Sequence, residues 1–188
     1  MTDVPPKLSE AEIREIVSRV VRRTLGAPIS AGVLREGVVA CGADHGGFAL
    51  KETLKEFVTS LGYTVVDCGA HSIDPVDYPD LAYAVARLVS EGQAWRGILV
   101  DGAGIGSAIA ANKVPGIRAA LCYDHATAIN SREHNDANVL TLGAGLIGAN
   151  LAKQIVQTWL ATPFGGGRHQ KRVDKIIEIE KRFLKDGA

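Results

Sequence analysis

GILVDGAGIGSAIAANK, residues 97–113, is the stretch that decides the fold and raises the functional question. Its apolar run Ile98, Leu99, Val100 reads as a buried strand. The run ends in the carboxylate of Asp101, then glycines at 102, 104 and 106, then small residues suited to a helix. Glycines after a strand let the backbone approach a ligand closely, and their N–H groups, with the start of the next helix, favour an anion or a developing oxyanion. An acid at that strand end is placed to act as a base on whatever the loop holds. The spacing is neither the dinucleotide fingerprint nor a P-loop, because Ser107 rather than Lys follows Gly106. The alternative is a tight strand-to-helix turn in which Asp101 only accepts from nearby N–H groups.

From Gly37 onward, short β-branched runs alternate with longer helical patterns, the mark of a parallel sheet with crossover helices. Strands are expected at Val38 to Cys41, Thr64 to Asp67, Gly97 to Val100, Ala119 to Cys122 and Val139 to Leu142. Helices are expected at Phe48 to Leu61, Leu81 to Glu91, Ser107 to Ala111, His125 to His134 and Leu146 to Leu160. The spacing predicts an α/β domain over 37–188, doubly wound on a five-stranded parallel sheet of Rossmann-like or flavodoxin-like order. Ligands of such sheets sit beyond the carboxyl ends of the strands, which singles out Asp44, His45, Asp101 and Asp124. The segment Arg168 to Lys185 reads as a charged terminal helix that begins with cations. Cations in a first turn oppose the macrodipole, so Arg168 and Arg172 point to an anionic partner; a solvated charged face is the alternative.

The first 36 residues differ in kind. Ser9 with Glu12 forms a capping box, and Ile13, Ile16, Val17, Val20 and Val21 trace one apolar stripe before Gly26. This predicts an amphipathic helix extension over 1–26 and a tether over 27–36 containing Pro28, Ser30 and Gly32. A helix of this size needs a cover for its stripe, from its own domain, a sister subunit or another protein.

Bulk composition narrows the classes. With 188 residues, 46% of them hydrophobic, the chain can bury a full core. Its formal net charge of zero argues against nucleic-acid or anionic-membrane binding. The three cysteines, Cys41, Cys68 and Cys122, lack metal-ligand spacing and read as buried thiols of a reducing compartment, so no metal is expected. With no apolar run long enough to span a bilayer, the expected location is the cytoplasm.

The ordered motifs GADHGGFALK (42–51), DYPDLA (77–82), GAGIGSAIAANKVPGIRAAL (102–121), SREHNDANVLTLG (131–143) and GGRHQKRV (166–173) resemble the type B ribose-5-phosphate isomerases and their galactose-6-phosphate isomerase relatives. The resemblance implies a sugar-phosphate substrate and aldose–ketose isomerisation through an enediolate, without metal or organic cofactor. It also implies roles. His134 would open the sugar ring, Asp44 and His45 would line the sugar end, and Tyr78 and Asn135 would contact hydroxyls. The loop Gly102, Ala103, Gly104, Ile105 and Gly106 would stabilise the enediolate through its N–H groups. Arg168 and Arg172 would hold the phosphate across a homodimer interface, since sites in this family draw residues from two chains.

The chain departs from that pattern at telling places. Many members carry Cys where Asp101 stands, and another branch uses a Glu where Ser107 stands. Asp101 is therefore the candidate base, with a carboxyl expected to be raised by its apolar surroundings. Ala103 replaces a usual hydroxyl residue, and Gly145 a usual phosphate-binding Arg, which leaves a tetrose, pentose or hexose phosphate open as substrate. A sugar-phosphate binding or regulatory protein that keeps the pocket without the base is the alternative. The helix ahead of the enzyme resembles the cargo peptides of bacterial microcompartments, which implies a shell or scaffold partner.

Overall fold

The computed structural model describes residues 37–184; the expected N-terminal helix and tether, and the last residues of the 37–188 domain, lie outside them. Strands β1 (Val38–Ala43), β2 (Thr64–Asp67), β3 (Arg96–Asp101), β4 (Ala119–Leu121) and β5 (Val139–Gly143) form one parallel sheet in the order β2-β1-β3-β5-β4. Helices α1 (Phe48–Ser60), α2 (Tyr78–Ser90), α3 (Ile105–Ala111), α4 (His125–Glu133), α5 (Ala149–Ala161) and α6 (Gln170–Phe183) complete it. The doubly wound five-stranded sheet is as the sequence predicts. Its order follows the flavodoxin-like 2-1-3 and then exchanges the last two strands.

The exchange has a cause in the residues. The central strands β1, β3 and β5 are buried throughout, whereas three-residue β4 is only half-buried and β2 alternates between exposed and half-buried. A five-residue run, Val-Leu-Thr-Leu-Gly, fills an interior slot that Ala-Ala-Leu cannot, so β5 inserts between β3 and β4.

Two apolar layers hold the sheet. On one face Leu54, Val58, Ile155, Val156 and Trp159 from α1 and α5 pack against Val39, Ile98, Val100, Leu140 and Leu142. On the other, Ala82, Val85, Ala86 and Val89 of α2 and Ala111 of α3 pack against Ala40, Leu99 and Val139. Behind β1, Lys51 is 1% exposed and donates to Asp67 Oδ1 and to the Ala70 carbonyl, both at 2.7 Å. Burial raises the Asp67 carboxyl, but the hydrogen bonds from Lys51, Lys55 and the Gly69 N–H win and hold it down at about 2.

Three boundaries differ from expectation where they bear on function. Helix α2 begins at Tyr78, with Pro79 in its first turn, so Tyr78 is fixed by a helix rather than carried on a loop. Helix α5 begins at Ala149, which leaves Leu146 in a turn and 61% exposed. Helix α6 begins at Gln170, so Arg168 precedes it and Arg172 lies in its first turn. Among the described residues no helix is long and apolar enough to cross a membrane.

Candidate active site

Asp101 closes β3, and its carboxylate turns back onto its own loop. Oδ1 accepts from the N–H of Ala103 at 2.8 Å and from the N–H of Gly104; Oδ2 accepts from the N–H of Ser107 at 2.9 Å. The side chain is buried, with Asp101 5% exposed. Burial pushes the carboxyl up, but bonds from the Ser107 hydroxyl and from the Ser107, Gly104 and Ala103 N–H groups outweigh it. They hold the group below the ordinary carboxylate range. The expected upward shift is thus corrected. The apolar strand end is real, but the loop satisfies the charge it buries. Two of the N–H groups expected for the enediolate, those of Ala103 and Gly104, already serve Asp101.

The loop's path is set by close packing. Gly104 takes a left-handed φ of 77°, and a Cβ there would lie 2.9 Å from the Leu142 carbonyl carbon. At Gly106 a Cβ would lie 2.7 Å from the Tyr78 ring, which therefore covers the loop from α2. The Tyr123 hydroxyl donates to the Ala103 carbonyl at 2.7 Å and fixes the loop from the other side. Half-buried Asp44 accepts from the Gly47 N–H at 2.8 Å, the turn that starts α1, and exposed His45 accepts from the Val76 N–H through Nδ1 at 3.4 Å. Asp44, His45, Tyr78 and residues 101–106 thus gather at the carboxyl edge of the sheet. Asp124, also picked out by the strand-end rule, is a helix cap, accepting from the Thr127 N–H at 2.7 Å.

His134, Asn135, Arg168 and Arg172 gather elsewhere. Gly97 pairs with Val139 and Asp101 with Gly143, so four residues, about 13 Å of strand, separate the start of β5 from Asp101. The Gly97 N–H donates to the Asn138 carbonyl at 3.0 Å, which fixes the α4–β5 connection at the amino edge. His134 ends α4 there, and its Nδ1 lies 2.8 Å from Asn130 Nδ2. His169 stacks on it with centroids 4.1 Å apart and planes 7° off parallel. Arg168 and Arg172, both exposed, flank His169. Burial, with His134, Arg168 and Arg172 nearby, holds the His169 imidazole below the usual histidine range. The turn is latched by Asp136, whose φ is 46° and whose carboxylate accepts from Arg132 at 2.8 Å and Arg118 at 2.9 Å.

Sequence reasoning gave no role to His169, Tyr123 or Ser107. Tyr123 lay within reach of the strand-end rule, two residues beyond β4. His169 becomes visible only through its stacking on His134, and Ser107 only through the turn of the Asp101 carboxylate back onto the start of α3. The cysteines are no substitute base. Burial, with Asp67 and Cys68 nearby, pushes the Cys41 thiol up to about 12, and burial with Asp67 pushes Cys68 to about 11.

Residues 39–176 match the family model described as Ribose/Galactose Isomerase. The chain belongs to the ribose/galactose isomerase family. It is similar to ribose-5-phosphate isomerase B of Escherichia coli, 46% identical over 144 residues, 77% of this chain and 97% of that protein. It is also similar to D-erythrulose-4-phosphate isomerase of Pectobacterium atrosepticum, 44% identical over 142 residues, 73% of this chain and 91% of that protein. Among solved structures, ribose-5-phosphate isomerase B of Clostridium thermocellum superposes with a TM-score of 0.77 at 51% identity, covering 78% of this chain and 99% of that one. The family match leaves out the first 38 residues, which include the whole of the expected helix and tether.

Proposed function

We propose that this protein is an aldose–ketose isomerase of a small phosphorylated sugar, built as a homodimer in which the carboxyl edge of one chain meets the amino edge of the other. The observation that carries this reading is the separation of Asp101 from His134, Arg168 and Arg172 along the sheet. One chain supplies a strand-end acid and an oxyanion loop, and the same chain's phosphate cations lie too far away to serve them. Apolar residues left exposed on α6, Ile176, Ile179 and Phe183, support a second copy as partner.

In this reading Arg168 and Arg172 of one chain hold the phosphate, His134 moves the ring-opening proton, and Asn135 and the other chain's Tyr78, Asp44 and His45 contact the sugar. Asp101 takes the proton from the carbon beside the carbonyl. The C–H bond breaks and an O–H bond forms on the carboxylate. The freed electron pair becomes the C=C bond of the enediolate, whose charge rests on the former carbonyl oxygen beside the loop N–H groups. A proton shift between the two enediolate oxygens and return of the Asp101 proton to the neighbouring carbon complete the reaction. No step calls on a metal or organic cofactor.

Both relatives' names describe phosphorylated sugars, of five carbons in one and four in the other. The absence of an arginine at Gly145, which sits against the Gly102 carbonyl, favours a substrate held by Arg168 and Arg172 alone. Incubation with four- to six-carbon aldose and ketose phosphates tests the reading. Interconversion of at least one supports it. Stabilisation by these ligands without turnover favours a binding protein, the role that a carboxylate tied into its own loop would suit.

The segment ahead of the domain supports recruitment to a shell or scaffold, and hence a cytoplasmic enzyme docked inside a bacterial microcompartment. Fusing residues 1–30 to a fluorescent protein tests this. Co-localisation with shell proteins is expected, and a diffuse signal contradicts it.

A further inference from the structure

We propose that Ser107 is the positioning residue of Asp101: it anchors Oδ2, so that Oδ1 is the oxygen that leaves the loop and takes the substrate's proton. This rests on Asp101 being the base.

The two oxygens are held in different ways. Oδ1 is bonded by the N–H groups of Ala103 and Gly104, in a stretch whose Gly102 and Ile105 are exposed. Oδ2 is bonded by the N–H of Ser107, a residue 2% exposed, whose hydroxyl also helps hold the carboxyl below its ordinary range. A substrate oxygen arriving at the exposed stretch competes for the Ala103 and Gly104 donors and cannot reach Ser107. As negative charge grows on that oxygen, the two N–H groups transfer to it and Oδ1 is released while Oδ2 stays pinned. What then remains around Oδ1 is burial, which makes the carboxylate a stronger base at the moment it is needed. The other titratable groups around the loop are Asp44, across Gly46; Tyr78, against Gly106; and Tyr123, on the Ala103 carbonyl. Among the described residues none of them donates to Asp101.

The test uses the full chain and its Ser107→Ala and Ser107→Thr variants. The Asp101 carboxyl is titrated by carbon NMR without substrate, with its resonance assigned by loss in Asp101→Asn. Separately, kcat/KM is followed against pH with whichever sugar phosphate is turned over. Ser107→Ala is expected to raise the carboxyl midpoint by about 0.5 to 1 unit. The acid limb should move up equally, KM should change less than about twofold, and Ser107→Thr should restore both. A carboxyl that titrates alike in parent and Ser107→Ala overturns the proposal, and so does an acid limb that stays put while the carboxyl moves. Because the titration needs no substrate, its failure is distinct from a lack of turnover, which counts against the isomerase reading alone.

Discussion

At the carboxyl edge the Asp101 carboxylate is 5% exposed and held by three backbone N–H groups of its own loop, whereas at the amino edge Arg168 and Arg172 stand exposed beside a stacked pair of histidines. Chemistry that moves a proton from carbon needs an acid or base within reach of that carbon and donors close to the charge that develops. On the proposed reading the carboxyl edge supplies the base from the Asp101 side chain and the donors from the loop that follows it. Phosphate recognition needs charge within reach of solvent, and on the same reading the amino edge supplies it from Arg168, just ahead of α6, and Arg172, in its first turn. Each edge is then, as proposed, half a site, and the fold keeps the halves apart within one chain.

Substitutions at the two edges break this comparison in different ways. The largest effect is expected for Asp101→Asn, which should lower the rate of substrate proton exchange with deuterated solvent by about a thousandfold. Thermal unfolding should remain cooperative. A variant as fast as the parent would remove Asp101 from the chemistry. Asp136→Ala strikes the other edge, since it leaves Arg132, 5% exposed, without its carboxylate. A loss of about 3 kcal/mol in unfolding free energy is expected by denaturant titration. A loss within error would show that the turn carrying His134 and Asn135 is not latched there.

Arg172→Met tests phosphate binding by itself. KM should rise about ten- to a hundredfold for the loss of one charge-assisted contact, with kcat changing far less. An equal fall in kcat would mean that the arginine acts on the transition state instead. The smallest effect is one of pH. The Asp67 carboxyl lies at about 2, below its ordinary 3.8, so it contributes stability that is present above 3.8 and is lost as pH falls from there toward 2. Asp67→Asn should flatten that part of the stability profile, read by thermal unfolding at a series of pH values. An unchanged slope would assign acid sensitivity to other carboxylates.

The fold was legible because strand and helix periods switch cleanly from β1 to α5, and each strand was found to within two residues at either end. The β5–β4 exchange was not, because order depends on which run fills the interior, a comparison between strands rather than a property of one. For the candidate site, the strand-end rule picks out Asp44, His45 and Asp101 together with the helix cap Asp124, the cations at the start of the last helix pick out Arg168 and Arg172, and the motifs add His134 and Asn135. None of these showed that the groups lie at opposite edges, since that depends on α4 running back across the sheet. The Asp101 carboxyl was expected to rise, and it falls because its oxygens meet N–H groups that a sequence of small residues does not advertise.

The central claim is that each working site takes its acid from one chain and its phosphate cations from another. Asp101→Asn and Arg168→Met proteins, each nearly inactive alone when assayed at substrate well below the parent's KM, can be dissociated, mixed and re-associated. If sites are shared between chains, half the dimers are mixed and each holds one intact site, so activity should return to about a quarter of the parent's. A mixture no more active than its two components would contradict the account.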